Sequence, residues 1–347
     1  MKVPIQALAV CGPTASGKTA LGILLAKQFN GEVLNVDSVQ VYKDVDIGSA
    51  KATLEERNGV PHHLLDLVSP QYQMNAGEYR ERALSCAQDV SARGKLPVLV
   101  GGSGMYLTVL LHGMADVPPT PPDVRAEVAT LSREEQYAEL QRVDAVTAAR
   151  LHVNDTQRLS RALEIFRITG RRPSDFFDDH KFSAQDIAAL MIVICRERDE
   201  LYERINRRSR HMIDQGLVDE TRKLLSTYGK VPVLDTIGYK QACDLLEGRL
   251  AEVKLAEEIA LFTRRFAKRQ MTFLRNEPGK RGWSIQPTGD ELGREIVGFT
   301  TESKRALAKT KGFRAMEMTA GELVARVRER MSRPLERTEV WYVWLRT

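Results

Sequence analysis

The chain has 347 residues, of which 43% are hydrophobic and 28% charged, the composition of a globular protein of about two domains. That balance excludes a wholly disordered chain and a collagen-like repeat, and no run approaches the ~20 apolar residues that cross a bilayer. The 51 basic residues against 46 acidic ones leave a net charge of +5, too mild a surplus to specify a polyanionic partner unless the charges cluster.

Leu8-Ala9-Val10-Cys11 predicts a short buried strand. A glycine-rich loop follows at once, so the apolar start is not the core of a signal peptide. That loop, Gly12-Pro13-Thr14-Ala15-Ser16-Gly17-Lys18-Thr19, satisfies GxxxxGK[ST] and opens a helical pattern that runs to Lys27. Successive backbone N–H groups at a helix start form a nest for phosphate oxygens. Lys18 adds a point charge, and the Thr19 hydroxyl suits Mg²⁺. Val33 to Asp37 predicts a second strand. Asn75 caps a predicted helix through Ala92, with Tyr79, Ala83, Ala87 and Val90 at helical spacing. Leu96 to Val100 predicts a third strand, ending in Gly101-Gly102-Ser103-Gly104. Strands alternating with helices predict an α/β fold of the P-loop NTPase-like kind, with a parallel sheet and ligands at the carboxyl ends of its strands.

Pro118-Pro119-Thr120-Pro121-Pro122 cannot lie inside a helix or a central strand, so it marks a boundary. Residues 123–183 read as polar helices. Ala188 to Cys195 returns as an apolar strand, and helical patterns follow at 198–215, 217–227 and 251–275. The expected organisation is a P-loop core of residues 1–118 and 184–284, interrupted by a helical insertion at 119–183. Residues 285–347 read as a small α/β extension, with strands at Glu295–Thr300, Phe313–Met318 and Glu339–Leu345 and helices at Ser303–Lys311 and Ala320–Met331. Trp341, Tyr342 and Trp344 make its last strand apolar on both faces, which predicts burial.

The loop says phosphate but not reaction. An ordinary P-loop NTPase also places an acidic metal ligand at the end of a neighbouring strand; the third strand here ends in glycines. Asp37 does end a strand, in Asp37-Ser38-Val39-Gln40-Val41-Tyr42, and its residue type alone leaves metal ligand, general base and cap all open. Two basic clusters stand out. Residues 157–172 carry Arg158, Arg161, Arg167, Arg171 and Arg172 against Glu164 alone. Residues 262–281 carry seven cations against Glu277 alone, with Phe262, Phe266 and Phe273 interleaved. A single charge run is usually a solvated face; two beside a phosphate-binding loop favour an anionic polymer. Residues 196–211 hold six arginines among four acids, which predicts i,i+4 pairing, with Arg208 able to reach a site. His62-His63 has no carboxylate or cysteine at metal spacing, so a structural role is expected. Cys11, Cys86, Cys195 and Cys243 form no CxxC pair and read as reduced thiols of a cytoplasmic protein.

Over residues 5 to about 280 the sequence resembles the tRNA dimethylallyltransferases, or isopentenyltransferases. The resemblance rests on GPTASGKT (12–19), DSVQVYKDVDIGSAK (37–51), PHHLLD (61–66), VGGSGMYL (100–107), NDTQRLSRALEIFRITG (154–170), TIGYKQA (236–242) and AKRQMTFLR (267–275). It implies transfer of a dimethylallyl group from its diphosphate to the exocyclic amine of the adenosine 3′ of the tRNA anticodon, with Mg²⁺ as cofactor at Thr19. The alternative within reach is an enzyme that prenylates free adenine nucleotides. By resemblance Asp37 is the general base, and Lys18, residues 12–19 and Arg208 hold the diphosphate. Ser103 stands where the family usually has threonine and acts at the reacting centre. The tRNA anticodon stem-loop would meet Asp37, Ser38, Val39 and Gln40, then Arg125 and Gln157, Arg158, Leu159, Ser160 and Arg161 from the insertion, and Lys240, Lys268, Arg269 and Arg275 along its backbone. A monomer with no membrane association is expected.

Overall fold

Runs such as LAVC and LPVLV are too short for helices and apolar throughout, so both of their faces need cover. In the computed structural model, which describes residues 3–180, 186–281, 284–285, 315–336 and 338–345, these runs become strands of one sheet. The strands are β1 (Ile5–Cys11), β2 (Gly31–Val36), β3 (His62–His63), β4 (Leu96–Gly101), β5 (Ile187–Cys195), β6 (Ser284–Ile285), β7 (Ala315–Met318) and β8 (Glu339–Leu345). Their order is β3-β2-β4-β1-β5-β8-β6, with β7 also paired to β8, and every pairing is parallel. The register sets Cys11 opposite Gly101 and Gly101 opposite Val36. The turns that begin at Gly12, Asp37 and Gly102 therefore leave the sheet side by side at its carboxyl edge, where α/β sheets hold ligands.

The helices are α1 (Lys18–Gln28), α2 (Leu54–Arg57), α3 (Ala76–Ala92), α4 (Gly104–His112), α5 (Pro122–Ala129), α6 (Arg133–Val143), α7 (Ala145–Arg150), α8 (Thr156–Thr169), α9 (Pro173–His180), α10 (Arg198–Asp214), α11 (Leu217–Tyr228), α12 (Tyr239–Leu246), α13 (Glu252–Arg281) and α14 (Ala320–Met331). Alternate residues of the sheet point to opposite faces. Ala7, Ala9, Met191 and Val193 pack with Tyr79 and Ala83 of α3, Leu107 and Leu111 of α4 and Leu274 of α13. Leu8, Val10, Leu190 and Ile192 pack with Leu21 and Leu25 of α1 and Leu323 and Val327 of α14. A smaller core of Met212, Leu217, Leu224, Tyr239, Leu255 and Ile259 joins α10 to α13.

Residues His112–Ala184 form a compact helical unit of their own, and Met1–Leu111 with Gln185–Thr347 form the other. Within the helical unit, Val128, Leu140, Ala148, Leu159, Ala162 and Leu163 make the core. The described part of the tail does not stand apart from the core sheet. β8 pairs with β5 from Leu190–Glu339 to Cys195–Trp344, and the Tyr342 hydroxyl donates to the Leu274 carbonyl at 2.8 Å. The strand joins the existing sheet, and its faces are covered by helices, Tyr342 packing with Leu274 and Val343 with Leu323, while Trp341 and Trp344 stay half-buried. The segments expected at Glu295–Thr300 and Ser303–Lys311 lie outside the described residues.

Near the start of β2, Glu32 is a buried carboxylate, its side chain 3% exposed. Arg93 binds both of its oxygens at 2.7 Å, Lys95 approaches at 2.8 Å and His63 Nε2 at 2.6 Å. The Arg93 guanidinium, with help from Lys95 and His63, holds the Glu32 carboxyl far below its ordinary 4.5. Glu32→Gln is expected to lower stability by about 1–2 kcal/mol at neutral pH, because it weakens charge-assisted hydrogen bonds to partners that are themselves partly solvated, the Arg93 side chain being 41% exposed. A depressed carboxylate pKa stabilises above the unfolded-state value, so the gap to wild type is full above pH ~4.5 and shrinks on further acidification. Urea denaturation at several pH values measures it.

Candidate active site

The loop after β1 turns on residues with left-handed backbone, Ala15 at φ 63° and Gly17 at φ 95°, a conformation that favours glycine at the second. It is pinned from several sides. Arg196 Nε donates to the Ser16 carbonyl at 3.1 Å and Arg204 Nε to the Ala15 carbonyl at 2.8 Å. Arg208 Nη1 donates to Thr14 Oγ1 at 3.1 Å. These arginines occupy loop oxygens, which leaves a positive face for an anion. Lys18 Nζ donates to the Pro13 carbonyl at 3.2 Å. Burial first, and the Arg208 charge second, pull the Lys18 ammonium from 10.5 down to about 8, against an opposing pull from Asp37. Arg208 is also lowered by burial, with Asp37 opposing.

The turn after β2 carries Asp37. Its Oδ1 accepts the N–H groups of Val39 at 2.9 Å and Gln40 at 3.4 Å, so one oxygen is a cap for its own loop. Asn35 steadies the turn by donating to the carbonyls of Leu64 at 3.3 Å and Asp37 at 3.4 Å, and Tyr79 donates to the Asn35 carbonyl at 2.8 Å. The turn after β4 carries Ser103, whose Oγ accepts the Ser38 N–H at 2.9 Å and lies 3.2 Å from Ser38 Oγ.

A cavity of about 390 Å³ opens between these turns. Thr14, Lys18, Thr19 and Arg208 line one part, Asp37, Ser38, Val39 and Gln40 another, and Phe266, Arg269 and Gln270 of α13 a third. Gly12 and Pro13 are buried behind it, and Ser16 is fully buried. Ser103 is not among the lining residues; its hydroxyl accepts the Ser38 N–H and so holds the Asp37 turn. The Gln40 amide nitrogen is likewise taken, by the carbonyls of Ser49 at 3.0 Å and Ala50 at 3.2 Å. His62 is among the lining residues, with Nδ1 on the Val60 carbonyl at 2.9 Å. Among the described residues no group of three or more His, Cys, Asp or Glu could hold a metal, and all four cysteines are free thiols.

In the helical unit the stretch 157–161 divides by helical period. Gln157 and Arg158 are exposed, and Arg158 pairs with Asp155 at 3.3 Å. Arg161 reaches Thr120 and Glu164. Leu159 is 0% exposed in the unit's core, and Ser160 Oγ donates to Gln136 at 2.9 Å. Leu159 shares the inward face with Ala162 and Leu163, which corrects its assignment to RNA contact, while Ser160 is half-buried at the edge of that face. Arg167 is spent on Glu127 and Glu139, and Arg172 on Asp175 at 2.9 Å. Arg125 is exposed on α5, Lys240 on α12, and Lys268, Arg269 and Arg275 on α13. Of these, Arg269 lines the cavity, and its guanidinium lies 5.7 Å from the centre of the Phe266 ring.

Sequence reasoning missed Gln270, Arg196 and Arg204. A signal exists for Gln270: it interrupts the buried stripe of Ala267 and Leu274 on α13. None exists for the two arginines, which sit among acids and also meet Glu200, Arg196 at 2.9 Å and Arg204 at 4.0 Å.

Residues 40–277 match the family model described as IPP transferase. A tRNA dimethylallyltransferase of Koribacter versatilis is 42% identical over 292 residues, covering 83% of this chain and 94% of that protein. The solved full-length tRNA isopentenylpyrophosphate transferase of Bacillus halodurans is 36% identical with a TM-score of 0.58, over 78% of this chain and 87% of that one. A eukaryotic dimethylallyltransferase, crystallised acting on tRNA, is 27% identical with a TM-score of 0.73, over 96% of this chain and 82% of that one. With the glycine loop and Asp37 on one cavity and most of its length matched, the chain belongs to the IPP transferase family.

Proposed function

We propose that the chain transfers the dimethylallyl group of dimethylallyl diphosphate to N6 of the adenosine 3′-adjacent to the tRNA anticodon and releases diphosphate. One observation carries this reading: an anion-binding loop and a carboxylate from a different turn face the same cavity. The adenine amine is a weak nucleophile because its lone pair is delocalised into the ring. The transition state therefore has allyl-cation character, with negative charge growing on the diphosphate. The loop N–H groups, Lys18 and Arg208 stabilise that charge. Asp37, through the oxygen not used as a cap, accepts the amine proton. The Thr19 hydroxyl, on the cavity beside Lys18, suits Mg²⁺, which keeps few protein ligands and takes phosphate and water oxygens for the rest. When bound, the ion supplies further charge compensation at the leaving oxygens.

The target adenine has to leave its stack to enter the cavity. Ser38, Val39 and Gln40 border its place beside Asp37, and Phe266 offers a ring. Arg125, Gln157, Arg158, Arg161, Lys240, Lys268, Arg269 and Arg275 are the outward groups for the RNA backbone, so affinity falls steeply with salt. The reading takes the chain as a monomer, and no helix among the described residues is long and apolar enough to cross a membrane. The reading places the enzyme in the cytoplasm.

Incubation with radiolabelled dimethylallyl diphosphate and Mg²⁺, offered unmodified tRNA or AMP, tests the reading. Label is expected in tRNA alone; label in AMP would make the protein an adenylate isopentenyltransferase. Ser103 gives a finer check. Ser103→Thr keeps the hydroxyl that holds Ser38 and is expected to change the rate less than threefold. Ser103→Ala frees the Asp37 turn and is expected to cost about tenfold in kcat, the size of a lost positioning contact. Steady-state kinetics on tRNA separates the two.

A further inference from the structure

Gln270 is an amide on the buried stripe of α13, 7% exposed between Ala267 and Leu274. A buried amide is costly unless both of its ends are bonded. Both are. Oε1 accepts the Thr14 N–H at 2.9 Å, and Nε2 donates to the Gly102 carbonyl at 3.0 Å. The approach is close enough that a β-carbon on Gly102 would lie 2.5 Å from Nε2, so glycine is the residue that fits there. One side chain thus ties the glycine loop to the turn after β4 and to the helix that presents Phe266 and Arg269 to the cavity. Thr14 is fixed twice, its N–H by Gln270 and its hydroxyl by Arg208. Its N–H is therefore withdrawn from the nest, and the curvature that leaves the other loop N–H groups and Lys18 to an anion is set from outside the loop.

Resting on the reading of that loop as the diphosphate cradle, we infer that Gln270 is a positioning residue of the reaction: it sets the loop geometry through Thr14 and the Gly102 carbonyl. Gln270→Met keeps the volume and removes both bonds. Gln270→Glu keeps an acceptor for Thr14, loses the donor to Gly102 and adds a negative charge beside the anion. Both variants are expected to bind inorganic pyrophosphate at least about tenfold more weakly than wild type and to lose a similar factor in kcat. Thr14 should exchange its amide hydrogen faster. Affinity for tRNA should stay within about twofold, because the outward cations of α13 are untouched.

Calorimetry with pyrophosphate, tRNA binding by filter retention and hydrogen exchange of the loop peptide give the three readouts. Gln270→Glu serves as the second variant should Gln270→Met fail to fold. Wild-type affinity for pyrophosphate in the variants overturns the inference. So does an equal loss of pyrophosphate and tRNA binding, which is the mark of general destabilisation. A wild-type protein that binds no pyrophosphate overturns the diphosphate reading itself, and the inference with it; that result cannot be confused with wild-type binding matched by the variants.

Discussion

Asp37→Asn is expected to slow prenyl transfer by about a thousandfold, within the range of a lost general base, while tRNA affinity stays within about threefold. The substitution separates two jobs that the carboxylate performs. Oδ1 caps the N–H groups of Val39 and Gln40, and asparagine presents the same acceptor at the same place. The turn that carries Ser38 and Gln40 therefore survives. What asparagine lacks is a second basic oxygen: its amide nitrogen would face the cavity and has no lone pair for the proton leaving the adenine amine. Asp37→Ala removes both jobs, so its rate should be no better and its tRNA affinity lower than that of Asp37→Asn. Single-turnover transfer gives the chemical step, and filter binding gives the affinity. If Asp37→Asn keeps more than a tenth of the wild-type rate, Asp37 is a cap alone and the base lies elsewhere.

The positions of these residues were partly open to reading from the sequence, and the boundary has a physical origin. The glycine loop is legible because it is local: the nest, the left-handed Gly17 and the helix start all lie within eight successive residues. Asp37 and Ser103 are legible as ends of apolar strands, since parallel α/β sheets gather such ends at one edge. What Ser103 does there is not legible. Its partner is Ser38, and that pairing follows from the β2–β4 register, which sets Val36 opposite Gly101. Gln270 meets Thr14 across 256 residues of chain, and Arg204 meets Ala15 across 189. No periodicity reports a contact of that separation; the polar residue on an apolar stripe says only that a partner exists. Leu159 fails for the opposite reason. A motif read as a continuous string ignores the 3.6-residue period that turns one of its five positions inward. The last strand shows the limit of composition: Trp341, Tyr342 and Trp344 announce a two-faced strand without saying that it pairs with β5 or that only Tyr342 of the three is buried.

Raising the pH through about 8 is expected to lower kcat/KM for dimethylallyl diphosphate, and Lys18 is the reason. Its pKa is lowered by burial and by Arg208 to about 8. The sign follows directly: a lowered lysine pKa means that the cation is present below pH 8 and lost above it. The free-enzyme parameter kcat/KM should therefore bend near pH 8. A bound diphosphate pulls the proton back, so kcat should stay level to higher pH. Lys18→Arg stays charged through this range and should lose the bend at a lower plateau, since a forked guanidinium does not replace a compact ammonium. Lys18→Met should lose the bend as well and fall by about a thousandfold, the scale of a deleted charge stabiliser. The same shift makes a second, independent expectation. A lysine whose folded-state pKa is depressed costs stability while it is charged, and that cost is relieved as pH rises from 8 towards 10.5. Lys18→Met should then melt no lower than wild type at pH 7, and pyrophosphate should raise the melting temperature of wild type but not of the variant. A bend near pH 8 that persists in Lys18→Arg would move the titrating group elsewhere. A melting temperature that falls in Lys18→Met would show that the ammonium holds the loop together through Pro13 rather than waiting, at a cost to the fold, for the anion.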